Sequence, residues 1–125
     1  MPKYDHRYNP PAPVADMVVV NVVTGMESDI VRGKLDTGAA LSIIPQRLVT
    51  QLDLPPRHQV WSQGYDGGFT RRTVYFARFV IEGHELAMVE CVATERDTVL
   101  VGRNVLNHFL ITLDGKNLRF ELQRA

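Results

Sequence analysis

Cysteine is nearly missing from this sequence. Cys91 is the only one in 125 residues, so no disulfide can close within the chain and no cysteine cluster can hold a metal. A lone thiol fits a reducing compartment, and its simplest role is that of a small apolar residue buried in a strand. Long apolar runs are missing too: nothing approaches the about 20 residues that a membrane helix needs. The start, Met1-Pro2-Lys3-Tyr4-Asp5-His6, is polar where a secretory leader carries an apolar core. A cytoplasmic protein with no membrane partner is the expectation. Excess charge of either sign is absent, with Lys plus Arg at 14 and Asp plus Glu at 14. No dense basic stretch exists beyond Arg71-Arg72, so nucleic acid is not an expected partner. His6, His58, His84 and His108 stand singly without ligand spacing, which places them at surfaces or turns. No metal and no other cofactor is expected.

What is present is enough chain for one domain. Residues 1–15 carry Pro2, Pro10, Pro11 and Pro13 with little apolar content, which reads as a flexible, extended arm outside the core. Residues 16–125 form the domain. The β-branched run at 16–23 stops at Thr24-Gly25, and 30–35 returns as a second strand, giving a hairpin. Ile43 and Ile44 precede Pro45, and Leu48, Val49 and Leu52 follow at near-helical spacing. A short helix is expected from near Pro45 to just before Pro55-Pro56. Residues 59–81 read as strand, turn and strand, with Gly64, Asp66, Gly67 and Gly68 at the middle. Gly83-His84 turns into a strand over 86–92, and further strands are expected at 99–101, 111–113 and 118–122, with a short helix over 104–109. The class is all-β, mostly antiparallel, with one or two short helices.

Within this frame, Leu35-Asp36-Thr37-Gly38-Ala39 sets an acid at a strand end. Gly38 permits a tight reversal and Thr37 supplies a hydroxyl to brace the loop. Alone, the triplet is what any strand-ending turn uses. A second marker lies far downstream, where Leu100-Val101-Gly102-Arg103-Asn104 carries a short apolar run into glycine and a helical turn. The two markers in this order resemble the retropepsin family of aspartic proteases, and the resemblance runs from Met17 onward. It implies an acid-protease half-barrel with Asp36 as the catalytic carboxylate. Thr37 would bond across to a partner loop, Gly38 would offer its backbone to substrate, and Ala39 and Ala40 would form a small floor. The 59–81 hairpin becomes a flap over the site, with Tyr65, Gly67, Gly68 and Phe69 toward substrate and Val99 as apolar lining. Gly102, Arg103 and Asn104 are the structural support. Trp61 and Phe76 are candidates for apolar lining or equally for the core, the core being the more frequent fate of a lone aromatic in a strand.

Peptide hydrolysis by this chemistry needs two carboxylates on one water, one taking its proton while the other, protonated, polarises the carbonyl. The sequence has no internal repeat and no second Asp-Thr-Gly. The simplest source of a second acid is Asp36 of another copy across a two-fold axis, hence a homodimer, with residues near 118–122 at its interface. The expected activity is that of an aspartic endopeptidase on an extended polypeptide. The alternative is a catalytically silent dimerisation or peptide-binding module on the same fold. In a peptidase, the arm has a functional alternative to a mobile tail: it occupies the substrate groove or is trimmed by the enzyme itself. Retroviral members usually carry an acid where this chain has Ala40, so Arg103 must pair elsewhere, with Glu95, Asp97 or the C-terminus as candidates.

Overall fold

The computed structural model describes residues 1–63 and 66–124. Strand β1 (Val14–Val20) pairs antiparallel with β2 (Val31–Leu35) through its first half. Its second half pairs with β5 (Phe69–Ile81), from Met17↔Ile81 to Val20↔Arg78. From β2 the sheet continues through β7 (Val99–Val101), β3 (Ser42–Pro45) and β6 (His84–Thr94) back to β5. The β1–β5 pairing closes these strands into a ring. Strand β4 (Pro56–Gln63) hangs outside it, bonded to β5 alone. Two ladders are parallel, β2 with β7 and β3 with β6; β2 and β3 are the strands on either side of the loop that carries Asp36. The expected all-β, mostly antiparallel half-barrel is what forms.

Local sequence explains the turns. Glu82 and Gly83 both take left-handed φ, 45° and 80°, and Ile81 pairs with His84, which is the two-residue hairpin turn that follows strand twist. Strand β1 stops at Val20, short of the expected 16–23, because Asn21 redirects its hydrogen bonds. Its buried side chain donates to the carbonyls of Leu52 (2.7 Å) and Asp53 (3.0 Å) and accepts from the amides of Val23 and Thr24. All four polar positions of one buried amide are thereby satisfied. The helix expected near Pro45 is α1 (Gln46–Leu52), with Pro45 as its N-cap and Asp53 left-handed at its end. Its Leu48, Val49 and Leu52 join Met17, Phe79 and Val101 in one core. Cys91 is fully buried there, and burial pushes its thiol up to about 12. Among the described residues no helix is long and apolar enough to cross a membrane.

The chain closes with α2 (Arg103–Leu106) and a hairpin of β8 (Phe109–Asp114) and β9 (Arg119–Arg124). Phe120 is fully buried in the main core. Residues 1–15, expected as a free arm, are instead docked. The Tyr4 amide donates to the Leu118 carbonyl (2.8 Å) and the Phe120 amide to the Pro2 carbonyl (2.9 Å). Asp5, itself buried, accepts from the amide and guanidinium of Arg7 and faces Arg32 at 3.5 Å. Further along, the Leu35 amide donates to the Pro13 carbonyl, so the arm backs the strand that carries Asp36. Composition understated this segment because much of its anchoring is by backbone and charge, which join the few apolar side chains, Tyr4, Ala12, Val14 and Ala15, that it packs against the core.

Candidate active site

The two sequence markers meet at the end of the parallel β2–β7 ladder, where Leu35 pairs with Val101. Immediately beyond, the Asp36 amide donates to the Val101 carbonyl (2.9 Å), and the two loops interlock. Arg103 and Asn104 amides donate to the carbonyls of Ala39 (2.8 Å) and Ala40 (3.2 Å). Asp36 is half-buried, and one of its carboxylate oxygens accepts the Gly38 amide at 2.9 Å. Thr37 and Gly38 are exposed.

Gly102 is required by contact. A Cβ there would stand 2.7 Å from the Leu41 carbonyl carbon and 3.0 Å from the Ala39 oxygen; those are backbone atoms that cannot swing aside. Its amide donates to the Ser42 hydroxyl (3.0 Å), which donates to Asn104 Oδ1 (3.0 Å); Asn104 Nδ2 then donates to the Glu90 carbonyl (2.8 Å). Ser42 is fully buried, and no sequence reasoning had singled it out. Among the described residues Arg103 pairs with neither Glu95 nor Asp97, and the C-terminal residue lies outside them. Its guanidinium donates to the Thr37 carbonyl at 2.7 Å, across 66 residues of sequence, while Asp97 pairs with Arg47. With alanine at position 40, the arginine braces the Asp36 loop directly.

Beside this loop lies a groove of about 350 Å3, floored by Gly38, Ala39 and Ala40 and walled by Ile43, Val92 and the β4 residues 60–63. Trp61, a candidate for lining or core, is 69% exposed because β4 has no second sheet behind it. Arg71 lies over its ring, 5.8 Å from the centroid. Phe76 is half-buried beneath Arg57. Val99, expected as lining, is only 3% exposed. Strand alternation turns Val99 and Val101 into the core and leaves Leu100 on the other face, opposite Ile43. Gly67, with φ of 81°, and Gly68 form the hairpin's far turn, where Asp66 accepts the Gly68 amide. They and the exposed Phe69 lie apart from the described groove lining. Tyr65 lies outside the described residues. Ile43 was findable: Ile43 and Ile44 are adjacent in a strand, so one of them must face away from the core.

The fold and the interlocked loops define an acid-protease half-barrel with one carboxylate at its loop. The family model described as aspartyl protease matches residues 18–105, and the chain belongs to that family. Its architecture is that of retropepsin-like aspartic proteases. A retropepsin-like aspartic protease from Rickettsia conorii aligns with a TM-score of 0.55 at 17% identity, over 91% of this chain and 95% of that one. The simian foamy virus protease gives 0.57 at 17% identity, over 75% and 91%. The retroviral protease-like domain of Ddi1 from Leishmania major gives 0.53 at 12% identity, over 90% and 94%. No curated protein matches the sequence at a significant level.

Proposed function

We propose that the chain is an aspartic endopeptidase whose acid pair is Asp36 of two copies. The observation that carries this reading is the presentation of Asp36, half-buried on a loop fixed from behind by Val101 and Arg103 and beside an open groove. Asp36 is the only acid between Leu35 and Pro45, so one copy supplies half a dyad. Two carboxylates held together share one proton, because ionising both is costly. The ionised member takes a proton from water as its oxygen attacks the scissile carbonyl carbon, while the protonated member donates to the carbonyl oxygen. Proton transfer to the amide nitrogen then lets the C–N bond break, and the pair returns to its shared-proton state.

Two-fold pairing of copies is supported by β8, whose Leu110 and Leu113 are 62% and 54% exposed. The expected region near 118–122 is less available, since β9 meets β8 on one side and residues 2–4 on the other, all within one chain. Thr37, exposed on the same loop, bonds across such an axis in this reading. Ala39 and Ala40 keep the floor low enough for an extended peptide, and Gly67, Gly68 and Phe69 approach it when the flap closes. The setting is cytoplasmic, which a single buried thiol suits.

The test is cleavage of a diverse peptide mixture, read by mass spectrometry from acid to neutral pH, for wild type and Asp36→Asn. Wild type cleaves, with specific activity falling on dilution as the dimer dissociates, and Asp36→Asn loses at least about a thousandfold, the scale of acid–base catalysis. Absence of cleavage by a confirmed dimer would assign the fold to peptide binding without turnover.

A further inference from the structure

Strand β6 is paired with β5 from His84 to Val92, but on its other side β3 reaches only Cys91 to Thr94. Residues 86–89 are thus an open strand edge among the described residues. The edge forms one wall of a second cleft of about 410 Å3. Side chains bracket it at both ends: Asn104 donates to the Glu90 carbonyl, and Arg124 donates to the Glu85 carbonyl. Between them the register slips opposite Ala77 and Phe79, so that Ala87 and Met88 are exposed in succession, Met88 at 57%. Leu41 lines this cleft and also the catalytic groove. The two depressions therefore share a wall.

We infer that the cleft binds the part of a polypeptide substrate that extends beyond the catalytic groove. This rests on the peptidase reading and adds to it an accessory subsite on β6. The occupant is a short extended segment lying along residues 86–89, with an apolar side chain set between Leu41 and Met88. Continuity through Leu41 selects the substrate itself as occupant, since that residue lines both the groove and the cleft. An open edge offers backbone donors and acceptors to an added strand, while alternate side chains enter pockets. The register slip limits such an edge to a short partner, because bulged edges resist indefinite sheet growth.

The experiment compares two peptides with one scissile sequence, about six and about fourteen residues long, the latter with apolar extended flanks on both sides. Their kcat and KM are measured on wild type and Met88→Glu, and their binding to the Asp36→Asn protein, with and without Met88→Glu, is followed by fluorescence anisotropy. The long peptide is expected to be favoured about tenfold through KM and to bind correspondingly tighter, with Met88→Glu bringing both ratios close to one. Equal handling of the two peptides by wild type overturns the subsite and leaves the peptidase standing. So does a preference that survives Met88→Glu. Binding of the long peptide that depends on Met88, without cleavage by wild type, keeps the cleft as a peptide site and removes the peptidase. Neither binding nor cleavage overturns both.

Discussion

The floor around Asp36 and the hairpin of β4 and β5 are both built on strands and are held in opposite ways. In the floor, backbone bonds from Asp36, Arg103 and Asn104 and the buried Ser42–Asn104 relay tie two distant loops into one unit. In the hairpin, β4 has a single neighbour among the described residues, and seven of its eight residues are exposed. One region spends its polar groups on fixing a carboxylate, the other leaves its side chains free to meet a ligand. Rigidity where charge must be placed, and freedom where substrate must enter, is the division that this chemistry asks of a fold.

The comparison breaks most severely at Gly102. Gly102→Ala is expected to destabilise the protein by about 3 kcal/mol through overpacking against backbone, and to cut cleavage further in whatever fraction still folds; urea unfolding and activity on matched samples measure both. A midpoint equal to wild type would show that the interlock yields easily. The flap predicts the opposite pattern. Trp61→Ala is expected to shift stability by no more than about 0.5 kcal/mol, while kcat/KM for peptides falls about tenfold, as loss of roughly 1.5 kcal/mol of apolar contact implies. Unfolding and cleavage moving together would return Trp61 to a structural role.

A subtler test concerns the arm behind β2. The Arg7 amide and guanidinium hold the Asp5 carboxyl below its ordinary value, with Arg32 adding to the effect and desolvation opposing it. A depressed carboxyl stabilises the fold above its unfolded pKa and loses that contribution as pH falls through the lower, folded value. Thermal unfolding of Asp5→Asn should therefore show a flatter loss of stability on the acid side than wild type, and an unchanged acid limb would detach the arm from the stability of the site. The smallest effect is reserved for a control remote from both regions. Asp53 has φ of 49° at the end of α1, so Asp53→Gly should raise stability by about 0.5 kcal/mol with no change in cleavage.

Particular residues show where reading the chain succeeded. Gly102 was legible only as part of the Leu100-to-Asn104 marker, and the structure supplies the reason for it, a close backbone approach that leaves no room for a Cβ. The hairpin at Gly83 and the helix after Pro45 were legible because their backbone requirements are local. Val99 was misplaced and Trp61 left between lining and core for a shared reason: each was judged by residue type, whereas its environment depends on which strands lie beside and behind it. Val99 has a core behind it, and Trp61 has none. Arg103 was given an acid partner by analogy with charge, yet its guanidinium reaches a carbonyl that chain closure brings within range. The arm was judged by apolar content, which is blind to backbone pairing with an edge at Leu118 and Phe120.

The sequence by itself determined most of the strand content and the two glycine-bearing loops, since these follow from local conformational preference and from what each side chain can do. Only the tertiary structure decided that those loops interlock, that Ser42 and Asn104 relay between them, and that Leu41 is shared by two clefts. Such facts depend on sheet order and register, which are set by the summed packing of strands far apart in the chain and leave no mark on any one of them.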